Sequence, residues 1–530
     1  MKIQNHVAIF HYHLERGGVT KVIDLSVRSI SEHLSEIREI QLITGRSGNA
    51  EILAAELSGI CARYGVEIKL KILPQIDYLS VEDFDKDQQR ARIDEIKSAI
   101  LAHHRGAFWW IHNYHIGKNP MFTQAVLEIA DELPDQTICF HIHDFPECSR
   151  YLNLDSLNRV IDRPAYPVAD NVRYAVINSR DYRLLVDAGI PERVVFLLAN
   201  PVEIQNLDRV HSQQKQKKLV DSFGQEFPEF LPQKPFLLYP IRTIRRKNVL
   251  ELGFLTRLLS DPVNLIVTLP GTSNSEKPYS DVVEGAFSEG LIHGLWGIGP
   301  HLDRVGLAFD DIVAMSDAIC SSSVQEGFGY FFLDSVRWDL PLFARYLDIL
   351  AGFDSAFGNH NFHFYHSVPV PLSVRKMKEL RKRYLARVNG MTTTMPEEAV
   401  DTLQSQIMEL TDGETIDFSY LPAAEQMHAL RMVKSEAKYR NEAVFLNRES
   451  VEILSGFAHG SVAGKRSDSG GDAFASFSFS TFATTVRRII TSFEDRHKAA
   501  PTSRHAIQTV QGQLVRRFAG KEYIRLLYDE

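Results

Sequence analysis

The alternation of short apolar runs with helix-like segments constrains the fold of this chain more than any other sequence feature. Residues 1–202 contain strand-like runs such as "HVAIFHYH", "AFWWIHN" and "TICFHIHD", separated by amphipathic segments with apolar residues near helical spacing. The alternation restarts near residue 235 with "PFLLYPI", "KNVLELGFLTRLLS" and "VNLIVTLPG". Strands that alternate with helices form parallel sheets covered on both faces. The sequence therefore predicts two doubly wound, Rossmann-like α/β domains.

The domain boundaries follow from where this alternation begins and stops. A chain of 530 residues is too long for one hydrophobic core. We predict an N-terminal domain at 1–202, a polar, Pro-punctuated linker at 203–234, a second domain at 235–372, a largely helical extension with a Gly/Ser-rich loop at 373–483, and closing helices at 484–530. Ligands bind at the carboxyl ends of parallel strands, so we expect the two domains to face each other across a ligand-binding cleft.

Composition excludes several classes of function. The formal net charge of -8 argues against a general nucleic-acid-binding protein. No apolar run approaches the roughly 20 residues that span a bilayer, and we identify no signal peptide. The four cysteines are widely spaced, which predicts neither a zinc site nor disulfides and fits a cytoplasmic protein. The basic stretch that begins at Arg375 fits a solvated helix face, and a contact with anionic lipid is left open.

A cluster of cations follows the first strand-like run of the second domain. The segment "YPIRTIRRKN" places Arg242, Arg245, Arg246 and Lys247 just before a helix that begins near Asn248. Fixed positive charges beside a helix N-terminus suit a diphosphate. A solvated basic turn is the alternative. Because cations at a helix N-terminus oppose the helix dipole, we favour an anionic ligand.

Two carboxylates are spaced eight residues apart in "EGFGYFFLD". Glu326 follows a strand-like run, Gly327 and Gly329 allow a close backbone approach, and Asp334 lies in the next helical segment. Carboxylates accept paired hydrogen bonds from vicinal hydroxyl groups, so this pair suits a sugar and a ribose. A capped helix with two surface acids is the alternative.

The N-terminal domain ends several predicted strands with polar side chains. "HYHLERGGVT" places Gly17 and Gly18 between a strand and a helix, where the pair forms either a phosphate cradle or an ordinary turn. In "FHIHDF", period-two alternation directs His141 and His143 to one side. The other polar residues at strand ends are His11, His13, Arg16, His112, Asn113, His115 and Asp144. Because the histidines alternate with aromatic residues on separate strands, binding of a polyhydroxyl or acidic acceptor explains them as well as a metal cluster does, and we predict no metal site. A core histidine is the alternative, more for His141 than for His143.

Taken in order along the chain, these motifs resemble those of the retaining glycosyltransferases of the GT-B fold, family 4. "EGFGYFFLD" resembles the family's E-x7-E signature, "RTIRRKN" its phosphate motif, "HYHLERGGVTKVI" its Gly-rich loop and "ICFHIHDF" its His-Asp strand end. The resemblance covers roughly Val7 to Arg345. One departure is Asp334, which replaces the second glutamate and is one methylene shorter.

The resemblance implies a metal-independent hexosyltransferase that uses a nucleotide-diphosphate sugar and no cofactor. It assigns catalysis to Glu326, His143, Arg242 and Lys247. It assigns donor binding to Gly17, Gly18, Arg242, Lys247, Glu326, Gly327, Phe328, Gly329 and Asp334. Acceptor-side candidates are His11, His13, Arg16, His112, Asn113 and Asp144. The expected partners are the nucleotide sugar and a small-molecule or glycan acceptor, and a homo-oligomer is left open. A glycoside phosphorylase of the same architecture and a non-catalytic nucleotide-sugar-binding scaffold are the alternatives.

Overall fold

The chain forms two compact α/β units in the computed structural model. The structure describes residues 5–104, 106–203, 212–227, 229–358, 360–393, 395, 397–460, 474–494 and 504–527. The first unit comprises residues 1–203, 391–399 and 474–519, and the second comprises 204–390, 400–473 and 520–530. The predicted Gly/Ser-rich loop lies mostly outside the described residues.

The first unit contains a seven-stranded, all-parallel sheet of order β3-β2-β1-β4-β5-β6-β7. Its central strands are buried at every residue and mostly apolar, as parallel strands covered by helices on both faces should be. The strands are β1 His6–His11, β2 Glu39–Thr44, β3 Glu67–Ile72, β4 Phe108–His112, β5 Ile138–Ile142, β6 Val172–Val176 and β7 Val195–Leu197.

Helices connect these strands and cover the sheet. They are α1 Gly18–His33, α2 Asn49–Cys61, α3 Lys86–His104, α4 Pro120–Glu132, α5 Tyr151–Asn158 and α6 Ser179–Asp187. Asn119 and Asn178 cap α4 and α6 by accepting hydrogen bonds from backbone N–H groups of the first turn, which would otherwise have no partner. The termini of these helices are therefore fixed beside the strands that they follow.

A segment from the C-terminal part of the chain completes the core of the first unit. After the second unit's main sequence, Phe482, Val486 and Ile489 join a cluster of buried residues that includes Val27 and Ile30 of α1. These three belong to α18, Phe479–Thr491, and α19 follows at Arg504–Phe518. The two helices correspond to the predicted closing helices, although α18 begins five residues before position 484.

The second unit contains a six-stranded parallel sheet of order β10-β9-β8-β11-β12-β13. The strands are β8 Phe236–Arg242, β9 Asn264–Leu269, β10 Gly294–Trp296, β11 Ala318–Ser321, β12 Leu342–Arg345 and β13 Phe362–Tyr365. The covering helices are α8 Val249–Leu258, α9 Lys277–Ser288, α10 Phe309–Met315, α11 Tyr330–Arg337 and α12 Asp354–Phe357. Together, the two parallel sheets confirm the predicted class of two Rossmann-like α/β domains.

Most of the helical extension belongs to the second unit. Its helices are α13 Val374–Asn389, α14 Glu397–Leu410, α15 Ala423–Ser435, α16 Ala437–Leu446 and α17 Arg448–Ala458, followed near the C-terminus by α20 Lys521–Ile524. A short antiparallel pair, β14 Pro369–Pro371 and β15 Thr415–Asp417, lies among them. None of the described helices is long and apolar enough to cross a membrane.

The predicted linker at 203–234 is partly wrong. Residues Gln213–Phe223 form the helix α7, which buries Leu219 and Phe223 and whose Lys215 pairs with Asp311. The sequence pattern did not predict this helix because its two buried positions are embedded in a strongly polar segment. This part of the expected linker therefore belongs to the second unit.

Candidate active site

The cation segment and the carboxylate loop meet at the point where the strand order of the second sheet reverses. Strands β8 and β11 are neighbours, while the chain runs outward from β8 to β9 and from β11 to β12. The loops that follow β8 and β11 therefore diverge, which leaves a crevice at the carboxyl ends of these strands. Residues 243–248 occupy the first loop, and 322–329 occupy the second.

Lys247 and Glu326 form an ion pair between these two loops, and both side chains are largely buried. Burial alone would raise the pKa of Glu326, but the charges of Lys247 and Arg246 outweigh it and hold that pKa below its usual value. Burial lowers the pKa of Lys247, and its attraction to Glu326 opposes that shift. The arrangement fixes an ionised carboxylate beside two cations.

Hydrogen bonds hold the two loops in register around this pair. The hydroxyl group of Tyr239, on β8, donates to the carbonyl oxygen of Lys247 at 2.8 Å and lies 2.8 Å from the hydroxyl of Ser323. The hydroxyl of Ser322 donates to the carbonyl oxygen of Asn248 at 2.8 Å. The N–H of Val324 donates to the Arg246 carbonyl at 2.8 Å. The position of Glu326 relative to Lys247 is thus set by backbone contacts.

The four cations of "RTIRRKN" have different surroundings. Arg245 is buried and donates to the carbonyl oxygens of Ser419 and Leu421 at 3.1 and 3.0 Å. It is therefore a structural residue, which corrects the expectation that all four cations serve a diphosphate. Arg242 is 47% exposed and lies 3.5 Å from Glu276, whereas Arg246 is half-buried. The other three cations, Arg242, Arg246 and Lys247, remain candidates for binding a diphosphate.

Asn248 ends the cation turn in a left-handed conformation, with φ of 50°. Asparagine tolerates this conformation better than most residues. Its side-chain oxygen accepts hydrogen bonds from Arg245 at 3.1 Å and from Gln426 at 2.8 Å, while its amide donates to Glu251 at 2.8 Å. The turn that carries Lys247 is therefore held by buried side chains, one of which, Gln426, comes from the helical extension.

The same polar network continues from Glu251 to Arg345. The buried guanidinium group of Arg345 donates two hydrogen bonds to Glu251, at 2.9 and 2.7 Å, and two to Asp417, at 3.1 and 3.0 Å. Tyr365 also donates to Glu251 at 2.8 Å. These residues were not predicted from the sequence. They could have been identified as charged residues at positions that the strand and helix patterns predict to be buried.

The Gly-rich carboxylate loop ends at Gly329, which has a φ of 86° and begins α11. A Cβ at this position would lie 2.6 Å from the ring of Phe332, so both the backbone conformation and the packing require glycine. Phe328 is buried against Tyr330 and Phe353, with ring centroids 4.9 and 5.4 Å apart. These contacts fix the loop that carries Glu326 and Gly327.

Asp334 lies in α11, where it forms an ion pair with Arg337 at 2.9 Å. Burial raises the pKa of Asp334 to about 6, against the opposing effect of Arg337. Its carboxyl group therefore changes charge close to neutral pH. Asp334 differs in this respect from Glu326, whose pKa is lowered.

In the first unit, the strand order reverses between β1 and β4, and the predicted histidines lie at the carboxyl ends of these strands and of β5. The Nδ1 atom of His112 lies 2.9 Å from Nε2 of His143, and the rings of His141 and His143 are 4.2 Å apart. The ring of His11 contacts the carbonyl oxygen of His112 at 3.5 Å. The structure thus brings together four histidines from three strand ends that are far apart in the sequence.

Burial lowers the pKa of each of these four imidazoles, so they are neutral at neutral pH. Trp110 donates to Nδ1 of His141 at 3.2 Å, which makes His141 part of the core. One nitrogen from each of His112, His141 and His143 lies within 4.8 Å of the others, a spacing from which a metal ion could be bound. The hydrogen bond between His112 and His143 accounts for two of their nitrogens.

Asn113 orients the strand end that carries His143. Its φ is 52°, and its side-chain oxygen accepts hydrogen bonds from the N–H groups of His143 and Asp144 at 2.8 and 3.3 Å. Asp144 in turn pairs with Arg150 at 3.0 Å. His115, in the loop between β4 and α4, packs against Tyr166 and is fully buried. Asn113 therefore orients the backbone of His143 and Asp144, and Asp144 orients the side chain of Arg150.

The turn between β1 and α1 is exposed at Arg16, Gly17 and Gly18. Gly17 has an extended backbone, with φ of -179°, and a Cβ there would meet only the Glu15 carbonyl oxygen, at 3.8 Å. A Cβ on Gly18 would meet no atom within 4 Å among the described residues. Neither backbone strain nor internal packing explains these glycines, so a phosphate cradle remains our prediction for them.

A further group of residues, not predicted from the sequence, lies at the same end of the first sheet. Arg46, Tyr78, Lys118 and Arg150 each follow a different strand. His13 packs against the ring of Tyr78, with centroids 4.7 Å apart. Each of the four residues comes shortly after a predicted strand, as His13 and Asp144 do, and this position could have identified them.

Comparison with known proteins places the chain in a family. No family model matches it. The solved structures of Anabaena HepE in complex with UDP-glucose and of the α,α-trehalose 6-phosphate synthase of Burkholderia multivorans have TM-scores of 0.45 and 0.46 and identities of 11% and 12%. They cover 85% and 92% of this chain, which in turn spans 99% and 98% of theirs. Neither similarity enters the family assignment.

That assignment rests on a sequence relative from Petrotoga mobilis. This protein, the mannosylglucosyl-3-phosphoglycerate synthase, is 32% identical over 464 residues, which are 86% of this chain and 86% of the relative. A synthase of that name joins sugar units, so the prediction of a glycosyltransferase is confirmed at this general level. The chain belongs to the mannosylglucosyl-3-phosphoglycerate synthase family.

Proposed function

We propose that this protein is a retaining, metal-independent glycosyltransferase that transfers a mannosyl group from a nucleotide-diphosphate mannose to glucosyl-3-phosphoglycerate. The observation that carries the reaction type is the buried Lys247–Glu326 pair at the reversal point of the second sheet. The name of the Petrotoga mobilis relative supports the choice of sugar and acceptor. The resemblance to family 4 supports retention of the anomeric configuration.

In the proposed reaction, the bond between the mannose anomeric carbon and the diphosphate oxygen breaks. A hydroxyl oxygen of the acceptor forms the new bond to that carbon, and its proton leaves with the nucleoside diphosphate. Positive charge develops on the sugar while negative charge develops on the leaving group. Catalysis then requires a fixed anion for the sugar and fixed cations for the diphosphate.

The residues of the second unit meet this requirement. Glu326 is held in its ionised form and would stabilise the sugar as it becomes cationic. Arg242, Arg246 and Lys247 would bind the diphosphate and stabilise its departure, while Asp334 would accept hydrogen bonds from the ribose. We assign the acceptor to the first unit, where His11 and His143 lie at strand ends, and we keep the exposed turn at Gly17 and Gly18 as the proposed cradle for a phosphate group of the donor.

A direct transfer assay tests this function. The protein is incubated with glucosyl-3-phosphoglycerate and either GDP-mannose or UDP-mannose, and the product is followed by mass spectrometry and proton NMR. We expect a product heavier by one hexosyl residue, in which the new linkage keeps the anomeric configuration of the donor. No product with either donor would contradict the substrate assignment. A product of inverted configuration would contradict the retaining mechanism.

A further inference from the structure

Three cations that the transfer mechanism does not use surround one aromatic ring at the carboxyl end of the first sheet. Arg46 follows β2, Lys118 follows β4 and Arg150 follows β5. Tyr78, which follows β3, lies between them. Because each residue comes from a different strand, the arrangement is a product of the fold and not of a locally basic segment.

The contacts of Tyr78 place the cations around it. The ammonium group of Lys118 lies 5.7 Å from the centre of its ring. Burial raises the pKa of the Tyr78 hydroxyl, and the nearby charges of Arg150 and Arg46 oppose that shift. The side chain is nevertheless 41% exposed. A partly exposed aromatic ring with cations beside it suits a ligand that has both an anionic group and a sugar ring.

Both arginines are held in place by carboxylates. Arg46 donates from Nε and Nη2 to Asp77, at 2.8 Å each, and Arg150 pairs with Asp144 at 3.0 Å. In the described part of the chain, Nη1 of Arg46 makes no hydrogen bond, and the side chain is 43% exposed. The carboxylates therefore orient the guanidinium groups and leave donors for a ligand.

The loop that carries Asp77 and Tyr78 is itself rigid. The amide of Asn119 donates to the carbonyl oxygens of Gln75 and Asp77 at 2.9 and 2.7 Å. A Cβ on Gly45 would lie 2.5 Å from backbone atoms of Asp77, so only glycine permits this close approach. The cluster is thus preformed, which lowers the entropic cost of binding a ligand.

The charges around Tyr78 favour an anion. Three permanent cations lie near the ring together with the carboxylates of Asp77, Asp144 and Glu15, and each guanidinium group has more N–H donors than one carboxylate accepts. His13 adds a polar ring in contact with Tyr78, and burial lowers its pKa, so it is neutral at neutral pH. A phosphate or carboxylate can accept hydrogen bonds from several of these groups at once, as a neutral sugar hydroxyl cannot.

We propose that Arg46, Lys118 and Arg150, arranged around Tyr78, bind the phosphoglycerate part of the acceptor. The proposal rests on the proposed function for the identity of the acceptor. The cluster would set acceptor specificity, since a sugar without an acidic group would gain no ionic contact with these cations.

Binding of free 3-phosphoglycerate, measured by calorimetry, tests the cluster without requiring catalysis. The variants are Arg46→Gln, Lys118→Gln and Arg150→Gln, and Arg92→Gln is the control because it also breaks an arginine–carboxylate pair, with Glu95, but on α3. We expect each of the three to weaken 3-phosphoglycerate binding by about tenfold or more. Affinity for GDP and UDP should not change, and in the transfer assay the acceptor KM should rise while kcat is retained.

Stability controls accompany these measurements. Arg46→Gln leaves Asp77 without its partner, so the double variant Arg46→Gln/Asp77→Asn, which removes both charges, is measured as well. A melting temperature close to that of the parent, together with weak 3-phosphoglycerate binding, would support the site. Inorganic phosphate serves as a second probe. Weaker binding of phosphate than of 3-phosphoglycerate would show that the site recognises more than the phosphate group.

Three outcomes would overturn the proposal. The first is no measurable binding of 3-phosphoglycerate by the parent protein. The second is equal 3-phosphoglycerate affinity in the parent and all three variants. The third is a set of variants that lose affinity for GDP and UDP while they keep affinity for 3-phosphoglycerate. Failure of the proposed function is distinguishable, because cation-dependent 3-phosphoglycerate binding without mannosyl transfer would leave the site intact and contradict only the reaction.

Discussion

The ammonium group of Lys247 donates a hydrogen bond to Oε1 of Glu326 and joins the loop after β8 to the loop after β11. Both side chains are partly withdrawn from water, so neither charge is stable there without a partner. A cation and an anion are thereby fixed at the same reversal point of the sheet. Transfer of a glycosyl group from a diphosphate needs both charges at once.

The charge of Glu326 should be more important for turnover than for folding. Glu326→Gln keeps the shape of the side chain and removes the anion, so the cationic transition state loses its stabilisation. Lys247 keeps an amide oxygen as acceptor but loses its ionic partner, so the melting temperature is measured alongside the kinetics. We expect kcat to fall at least about a hundredfold, with little change in nucleotide affinity. Steady-state kinetics and nucleotide calorimetry measure the two effects. Glu289→Gln, which alters the exposed pair with Arg431, is the matched control. A near-parental kcat in Glu326→Gln would remove this residue from the mechanism.

Arg242 and Arg246 should contribute to donor affinity through their charge. Replacing either by alanine should weaken binding of UDP, GDP or ADP by about 1.5–3 kcal/mol for each lost charge-assisted contact. Both side chains are at least partly exposed, so the melting temperature should change little. Isothermal titration calorimetry checks the affinity, and Arg304→Ala provides an exposed cation elsewhere in the same unit as a control. Unchanged affinity in both variants would exclude these arginines from the donor site.

The sequence predicted the fold class because parallel strands with two buried faces are continuous apolar runs. The runs that contain Trp110, Phe140 and Leu238 became β4, β5 and β8. The same reasoning placed polar side chains such as His143 and Glu326 after strands. The three-residue strand β10 was not predicted, because "GLW" is too short to show any period.

The hydrogen-bond partners of the buried arginines could not be predicted from the local sequence pattern. Arg245 and Arg246 are adjacent, yet the first is buried against carbonyl oxygens about 175 positions away and the second is not. Arg345 lies in an apolar strand and finds its partners on α8 and on β15. Such contacts depend on how distant elements pack. Spacing within one motif carries no information about them.

The buried charge network around Arg345 should be important for stability. Replacing Arg345 by Met removes the partner of both Glu251 and Asp417, which remain buried. Breaking one side of such a network costs about 3–5 kcal/mol of unfolding free energy. Chemical denaturation measures the loss, and Arg431→Met, which breaks an exposed pair, should cost no more than about 1 kcal/mol. Equal stability of the two variants would show that the network contributes little.

Transfer should not require a metal ion, because the cations of the second unit supply the charge that the leaving diphosphate needs. We therefore expect activity to persist in excess EDTA, measured by product formation after extensive dialysis against the chelator. The cluster of His112, His141 and His143 provides an internal check. Loss of activity in EDTA that Mg²⁺, Mn²⁺ or Zn²⁺ restores would contradict the proposal. If, in addition, His112→Asn lowered the metal content of the purified protein, the metal would be assigned to this cluster.

The raised pKa of Asp334 should make nucleotide affinity depend on pH. Its pKa in the folded protein is about 6, because burial disfavours the charged form more than Arg337 favours it. If the ionised carboxylate accepts hydrogen bonds from the ribose, affinity should fall as the pH is lowered through about 6. Asp334→Asn should bind nucleotide more weakly at pH 7.5, about as weakly as the protonated parent, and should lose this pH dependence.

The contribution of Asp334 to protein stability should change with pH in the direction opposite to nucleotide affinity. The folded-state pKa of Asp334 lies above its ordinary value of 3.8, so protonation favours folding. This contribution is fully present below pH 3.8 and is lost as the pH rises through about 6. Compared with the parent, Asp334→Asn should therefore gain stability between pH 5 and pH 7.5. Thermal melting across this range, alongside calorimetry with the nucleotide, separates the two effects. A parent whose affinity stayed constant from pH 5 to pH 7.5 would show that the ribose does not depend on the Asp334 charge, even if the stability difference appeared.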